Sequence, residues 1–177
     1  MKKLFGHLKT VRIHRWEVFK LSIKVGIPFR GLIHDLSKYS IEELYESVKY
    51  YSNGKHSPIN DAKKDKGYSL AWLHHKGRNK HHYEYWYDTQ ALEPMPIIPF
   101  KYMLEMICDR IAASKTYNKG NYNNKMPLEY FYKERDKMVL NDKLVLFLES
   151  VFKKLATDGE EILNKKELYK LYIKYTK

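Results

Sequence analysis

A chain of 177 residues is long enough for one domain with a sizeable core, and at 44% apolar it is expected to fold rather than remain disordered. Its single cysteine, Cys108, excludes an intramolecular disulfide framework and a cysteine-built zinc site, and is read as a small packed core residue. Thirty-three basic residues against 21 acidic ones give a formal charge of +12, a field that attracts anions without choosing among nucleotides, nucleic acid and phosphorylated metabolites.

In chain order, residues 3–25 place Leu4, His7, Val11, His14, Val18, Leu21 and Val25 at alternating spacings of three and four, the period of one buried helical stripe. His14 is therefore expected to point inward, and Gly26 and Pro28 to stop the helix. Residues 29–38 read as a short helix with Leu32, Ile33 and Leu36 in the core. Ser40-Ile-Glu-Glu43 has the form of a capping box and starts a third helix through about Tyr51. The polar segment 53–67, containing Gly and Pro, reads as a loop. Ser69 can cap a fourth helix carrying Leu70, Trp72 and Leu73, which Gly77 should interrupt, with Asn79 capping a new turn that holds His81 and His82. Pro94, Pro96 and Pro99 mark a connector before a helix at 100–115, and three further helices are expected near 127–139, 142–157 and 159–175. Pro127 suits a first helical position and Asn141 a cap. No segment sustains the alternation of a strand, so the expectation is an all-α, compact single-domain helical bundle over residues 1–177.

The chemistry lies in an ordered series: His14, then His34-Asp35, then the pairs His74-His75 and His81-His82, then Asp109. Mixed imidazole and carboxylate ligands suit a divalent transition metal (Mn, Fe, Zn, Co or Ni), whereas a magnesium site would be oxygen-rich. His14 alone reads as a core histidine. Asp109 shares a helical stripe with Tyr102, Met106 and Ala113, and a buried carboxylate must meet a metal, a cation or several donors. His74 and His81, like His75 and His82, are seven residues apart, so one member of each pair is expected to bind metal: His75 and His82, with His74 and His81 as alternatives. The segment His-His-Lys-Gly-Arg-Asn-Lys-His-His also has the composition of a nucleic-acid-binding loop.

With these residues in place, the chain resembles the HD-domain superfamily of metal-dependent phosphohydrolases. His14, His34, Asp35 and Asp109 match that superfamily's ligands in order, and His34-Asp-Leu-Ser-Lys38 resembles its His-Asp-(apolar)-Gly-Lys segment with Ser37 in place of the glycine. The stretch from Gly67 to Trp86 looks more closely like that of an uncharacterised family of small HD-like bacterial and phage proteins. The resemblance spans roughly residues 7–118, so 1–118 is read as carrying the metal motifs and 119–177 as additional C-terminal helices. It implies an all-helical fold of the HD type, hydrolysis of a phosphate ester or anhydride, and one or two divalent metal ions, with Asp35 able to bridge two.

On this reading a metal-activated water attacks phosphorus. Asp35, Lys38 and Glu105 are the catalytic candidates, with Glu105 either a proton shuttle or a holder of a ligand histidine. Lys38, Arg78 and Lys80 are the candidate phosphate contacts. The expected partner is a small phosphorylated molecule, a nucleotide first, and a homodimer is compatible with the composition. No stretch approaches the ~20 apolar residues of a membrane span and the N-terminus has no signal-like apolar core, so a soluble cytoplasmic protein is expected. The alternatives are an oxygen-activating di-iron protein with the same ligands and a basic, non-catalytic nucleic-acid-binding module.

Overall fold

The computed structural model describes residues 1–177, and every regular element in it is helical. Nine α-helices run α1 Lys2–Lys24, α2 Pro28–Ile33, α3 Ile41–Lys49, α4 Pro58–Lys66, α5 Leu70–Arg78, α6 Phe100–Asn118, α7 Met126–Glu134, α8 Asp142–Asp158 and α9 Lys165–Thr176, linked in places by single 3-10 turns. The long helices α1 and α6 form the most extensive pair, and α2 packs back along α1. The stripe read on α1 is buried at His7, Val11, His14, Val18, Leu21 and Val25. Its C-terminal half joins Met103, Leu104, Ile107 and Ile111 of α6 in a core completed by Phe131 of α7, Phe147 and Phe152 of α8, and Leu168 of α9. Residues 119–177 thus close the principal apolar core. Cys108 is buried in it, and burial pushes its thiol pKa up.

The other end of the α1–α6 pair is polar inside, and α3 explains how. Its apolar Ile41 and Tyr45 are 82% and 78% exposed, while Glu43, Glu46 and Ser47 are buried. The inward acids of α3 meet α5. Glu46 accepts from Ser69 Oγ, Lys66 Nζ and, at 3.0 Å, the backbone N–H of Ala71, so it satisfies the first turn of α5. Ser69 itself accepts from Trp72 N at 3.1 Å, as its position foretold.

Burial alone would raise the pKa of Glu46, but these donors outweigh it and bring the value down to about 2. A depressed carboxylate pKa stabilises the fold fully above the ordinary value of 4.5, and that stabilisation is lost as the pH falls towards 2. Glu46→Ala is expected to cost about 1–3 kcal/mol at neutral pH. Thermal unfolding of wild type and variant between pH 6 and pH 2.5 should show the difference shrinking in acid; a constant difference would contradict this account.

Several sequence expectations change. Residues 29–38 are not one helix: α2 ends at Ile33, Asp35 adopts φ 55° and ψ 26°, and a 3-10 turn follows over Leu36–Tyr39. Leu32, Ile33 and Leu36 are consequently 58%, 41% and 51% exposed rather than core. The segment read as a loop contains α4, which buries only Pro58 and Ala62 and so shows no apolar stripe. Gly77 does not interrupt α5, because the helix continues to Arg78 and a Cβ at Gly77 would meet nothing. Asn79 ends that helix, its Nδ2 donating to His75 O at 2.8 Å, and its carbonyl then opens the expected turn by accepting from His82 N at 3.0 Å; only the side-chain cap of that turn is absent. The capping box is half formed, since Ser40 Oγ accepts from Glu43 N at 3.4 Å while the Glu43 carboxylate faces the histidines.

Candidate metal centre

Four helices and one turn deliver the predicted ligands. His14 comes from the buried stripe of α1, Asp109 from α6, and His75 from α5, with His81 and His82 in the segment just beyond it. The His34-Asp35 pair is set by the end of α2. Gly31 allows α2 its close approach, because a Cβ there would lie 2.5 Å from Ser22 Cβ and 3.1 Å from the Phe19 backbone. Arg15, adjacent to His14, donates from Nε to His34 O at 2.8 Å and from Nη2 to Leu32 O at 2.7 Å, satisfying the carbonyls at that helix end. The chain then turns through the left-handed conformation of Asp35, which Asp tolerates better than most residues. This turn, rather than a continuous helix with neighbours about 100° apart, lets adjacent residues converge on one point.

The result is a two-sided cluster about Asp35. On one side, His14, His34, Asp35 and Asp109 each offer a ligand atom, all within 4.8 Å of one another. His14 Nε2 is 3.0 Å from Asp109 Oδ1 and 3.7 Å from Asp35 Oδ2, and His34 Nε2 is 3.5 Å and 3.3 Å from the same oxygens. On the other side, Asp35, His75, His81 and His82 form a second such group. There His75 Nε2 and His81 Nε2 stand 3.3 and 3.5 Å from Asp35 Oδ1. Both oxygens of Asp35 and the Nε2 atoms of His14, His34, His81 and His82 are buried without a properly oriented hydrogen-bond partner. Buried polar atoms are rarely left this way. Six converging orphans, all nitrogen or oxygen, fit divalent transition-metal ions.

Behind the ligands, two glutamates fix the rings. Glu105 Oε1 is 3.0 Å from His34 Nδ1 and 3.2 Å from His81 Nδ1, while Oε2 accepts from Arg30 Nε at 2.6 Å. Glu43 takes His74 Nδ1 on one oxygen and His75 Nδ1 on the other, each at 2.8 Å. A carboxylate on Nδ1 selects the tautomer whose Nε2 is free for metal. Ser37, at the position of the resemblance's glycine, brings its Oγ to 3.2 Å from His75 Nδ1 and accepts from Asn79 Nδ2 at 2.8 Å.

The electrostatics hold the carboxylates ionised and divide the imidazoles: burial would lower His34 and His75, but Asp35 outweighs it and raises both, whereas His14 and His82 are lowered. Burial opposes ionisation of Asp35, but His34, Lys38 and His75 outweigh it and hold its pKa well below the carboxylate range. Asp109 is held down likewise, against burial, by His14 and His34. Burial, reinforced by the charges of His81 and His75, pushes His82 well below its ordinary value, and burial lowers His14 too. Ionised carboxylates and neutral imidazoles are the forms that bind metal. Burial would raise Glu105, but its bonds to His34 and His81 bring it down to about 2.

Among the remaining predicted residues, Lys38 lies at the centre with Nζ 2.6 Å from Asp35 Oδ2. His74 does not reach the cluster; its ring is held by Glu43 outside it. His81 does reach it, so the cluster unites members of both proposed pairs. Arg78 and Lys80 are exposed and lie outside both ligand groups. Lys80 Nζ is 5.6 Å from the centre of the Tyr85 ring. Glu43, Arg30, Arg15 and Asn79 were not foreseen. The available signal was the acid pair Glu43 and Glu46, one turn apart on a helix whose best buried face would otherwise be apolar.

These features define an all-helical protein with a buried, two-sided histidine–carboxylate cluster able to hold metal. The chain belongs to the family described as "Family of unknown function (DUF5662)", whose pattern matches residues 3–154. That match runs past the 7–118 span of the HD resemblance, through α7 and into α8. No curated protein and no solved structure matches the chain. No helix is long and apolar enough to cross a membrane.

Proposed function

We propose that this chain is a metal-dependent phosphohydrolase of the HD type, acting on a nucleotide or another small phosphorylated molecule. The observation that carries the reading is Asp35, whose two oxygens each face a separate pair of buried imidazoles, His14 and His34 on one side and His75 and His81 on the other. A carboxylate so placed is suited to join two ions. Metal bound here would supply a water acidified towards a pKa of ~7 and a Lewis acid for the phosphoryl oxygens.

The chain's own residues provide everything else. Asp35 and Asp109 would present carboxylate oxygens to metal, and His14, His34, His75, His81 and His82 imidazole nitrogens. Lys38, whose ammonium touches the Asp35 carboxylate, would meet a phosphoryl oxygen of bound substrate and offset the charge that grows there during attack. Glu105 acts through His34 and His81 instead of as a proton shuttle, because both its oxygens are already taken by imidazoles and Arg30.

The test is phosphate release from nucleotides, p-nitrophenyl phosphate and bis(p-nitrophenyl) phosphate by protein loaded in turn with Mn, Fe, Zn, Co and Ni. Turnover that requires metal is expected. Oxygen uptake by the iron-loaded protein without phosphate release would move the assignment to an oxygenase. Salt-sensitive nucleic-acid binding by a protein that takes up no metal would replace catalysis with a binding role.

A further inference from the structure

The side of α1 turned away from the metal centre carries large apolar side chains that no other element covers. At about 100° per residue, Phe5, Arg12, Trp16 and Ile23 fall within about 40° of one another and opposite the buried His14. Phe5, Trp16 and Ile23 are 67%, 58% and 55% exposed, and the Trp16 ring lies 5.7 Å from that of Phe19. Single exposed apolar residues are ordinary, but a line of them along about 27 Å of one helix marks an interaction surface. The charge of this surface is one-sided. Glu17 is the only acid in residues 1–33, and Lys20 engages it at 2.7 Å. Lys2, Lys9 and Arg12 flank the apolar line, exposed and outside any ion pair. The neighbouring α2, seated at Phe19 and Ser22, carries no acid and leaves Phe29 and Leu32 exposed as well.

We infer that this outer face of α1 docks on a membrane surface rich in anionic phospholipid. Phe5, Trp16 and Ile23 sink into the headgroup boundary, and Lys2, Lys9 and Arg12 meet the lipid phosphates. A second copy of the chain fits less well, because a two-fold contact would set the same cations against each other. Nucleic acid would use the cations and stack on Phe5 and Trp16, but it leaves the aliphatic Ile23 and Leu32 without a role. A bilayer uses both kinds of side chain. The inference does not depend on what the metal centre catalyses, since His14 points the opposite way from the docking face.

The experiment sediments the full chain with phosphatidylcholine vesicles, with and without phosphatidylserine. Binding is expected only with phosphatidylserine, and it should weaken as salt is raised. Trp16→Ser and Phe5→Ser should each weaken it about tenfold through lost apolar insertion. Lys9→Gln/Arg12→Gln should weaken it about fivefold for each cation removed. Lys133→Gln/Lys137→Gln, which removes two exposed cations of the α7 region, should leave it nearly unchanged. Because every substituted side chain is exposed, the melting temperatures should match that of wild type. No binding to either vesicle, equal binding to both, or equal losses from the two cation pairs would overturn the assignment. A chain that is dimeric in solution and becomes monomeric with Trp16→Ser would also overturn it, giving the face to a second copy.

Discussion

Asp35→Asn is expected to empty both sides of the centre of metal and, on the hydrolase proposal, to lower metal-dependent phosphate release by about a thousandfold or more. The substitution keeps the shape of the side chain but removes the charge that both ligand groups share. It also keeps the backbone, because Asn accepts the left-handed conformation recorded at φ 55° as readily as Asp. Helicity by circular dichroism should therefore be nearly unchanged, and Lys38 remains close to the negative charge of Asp109. Asp109→Asn is the control. Its oxygen belongs to the group with His14 and His34 alone, so it should remove metal from that side only. An Asp35→Asn protein that retains its metal and its turnover would refute the shared-ligand geometry.

Glu105→Ala should act on stability and metal affinity together. The Glu105 carboxylate is buried between Arg30, His34 and His81, and deleting it leaves the Arg30 guanidinium, itself three-quarters buried, without its partner. Losing one member of a buried ion pair costs about 3–5 kcal/mol. The same deletion frees the rings of His34 and His81 to rotate, and loss of such a support behind a ligand weakens metal binding about 10–100-fold. Urea unfolding of the metal-free protein reads the first effect, and competition with a chelator reads the second. Glu105→Gln, which keeps an acceptor oxygen, should fall between. A Glu105→Ala protein with unchanged stability would show that Arg30 finds another partner, and unchanged affinity would remove Glu105 from the centre.

The sequence exposed the parts of this molecule that obey local rules. The stripe on α1, the caps at Ser69 and Asn141, and the helices beginning at Phe100 and Asp142 follow from periodicity and side-chain capping. The ordered histidines and aspartates were also legible, because few chains place imidazoles on buried helical faces. What escaped depends on tertiary geometry. Nothing local distinguishes an Asp continuing a helix from one turning left-handed, yet that choice exposes Leu32, Ile33 and Leu36 and aims His34 and Asp35 together. Glu43 looked like a capping-box acid, and its true partners lie 31 and 32 residues away. The two histidine pairs were judged by helical phase. Because α5 ends at Arg78, His81 and His82 approach from a different direction and both reach the centre with His75.

The most direct test of the account is the metal content per chain, by mass spectrometry, of protein purified without added metal or a histidine-rich tag and again after titration with manganese or iron. The two ligand groups about Asp35 predict about two ions per chain, held by wild type and absent from Asp35→Asn. Protein that carries no metal and takes up none on titration would contradict the central claim.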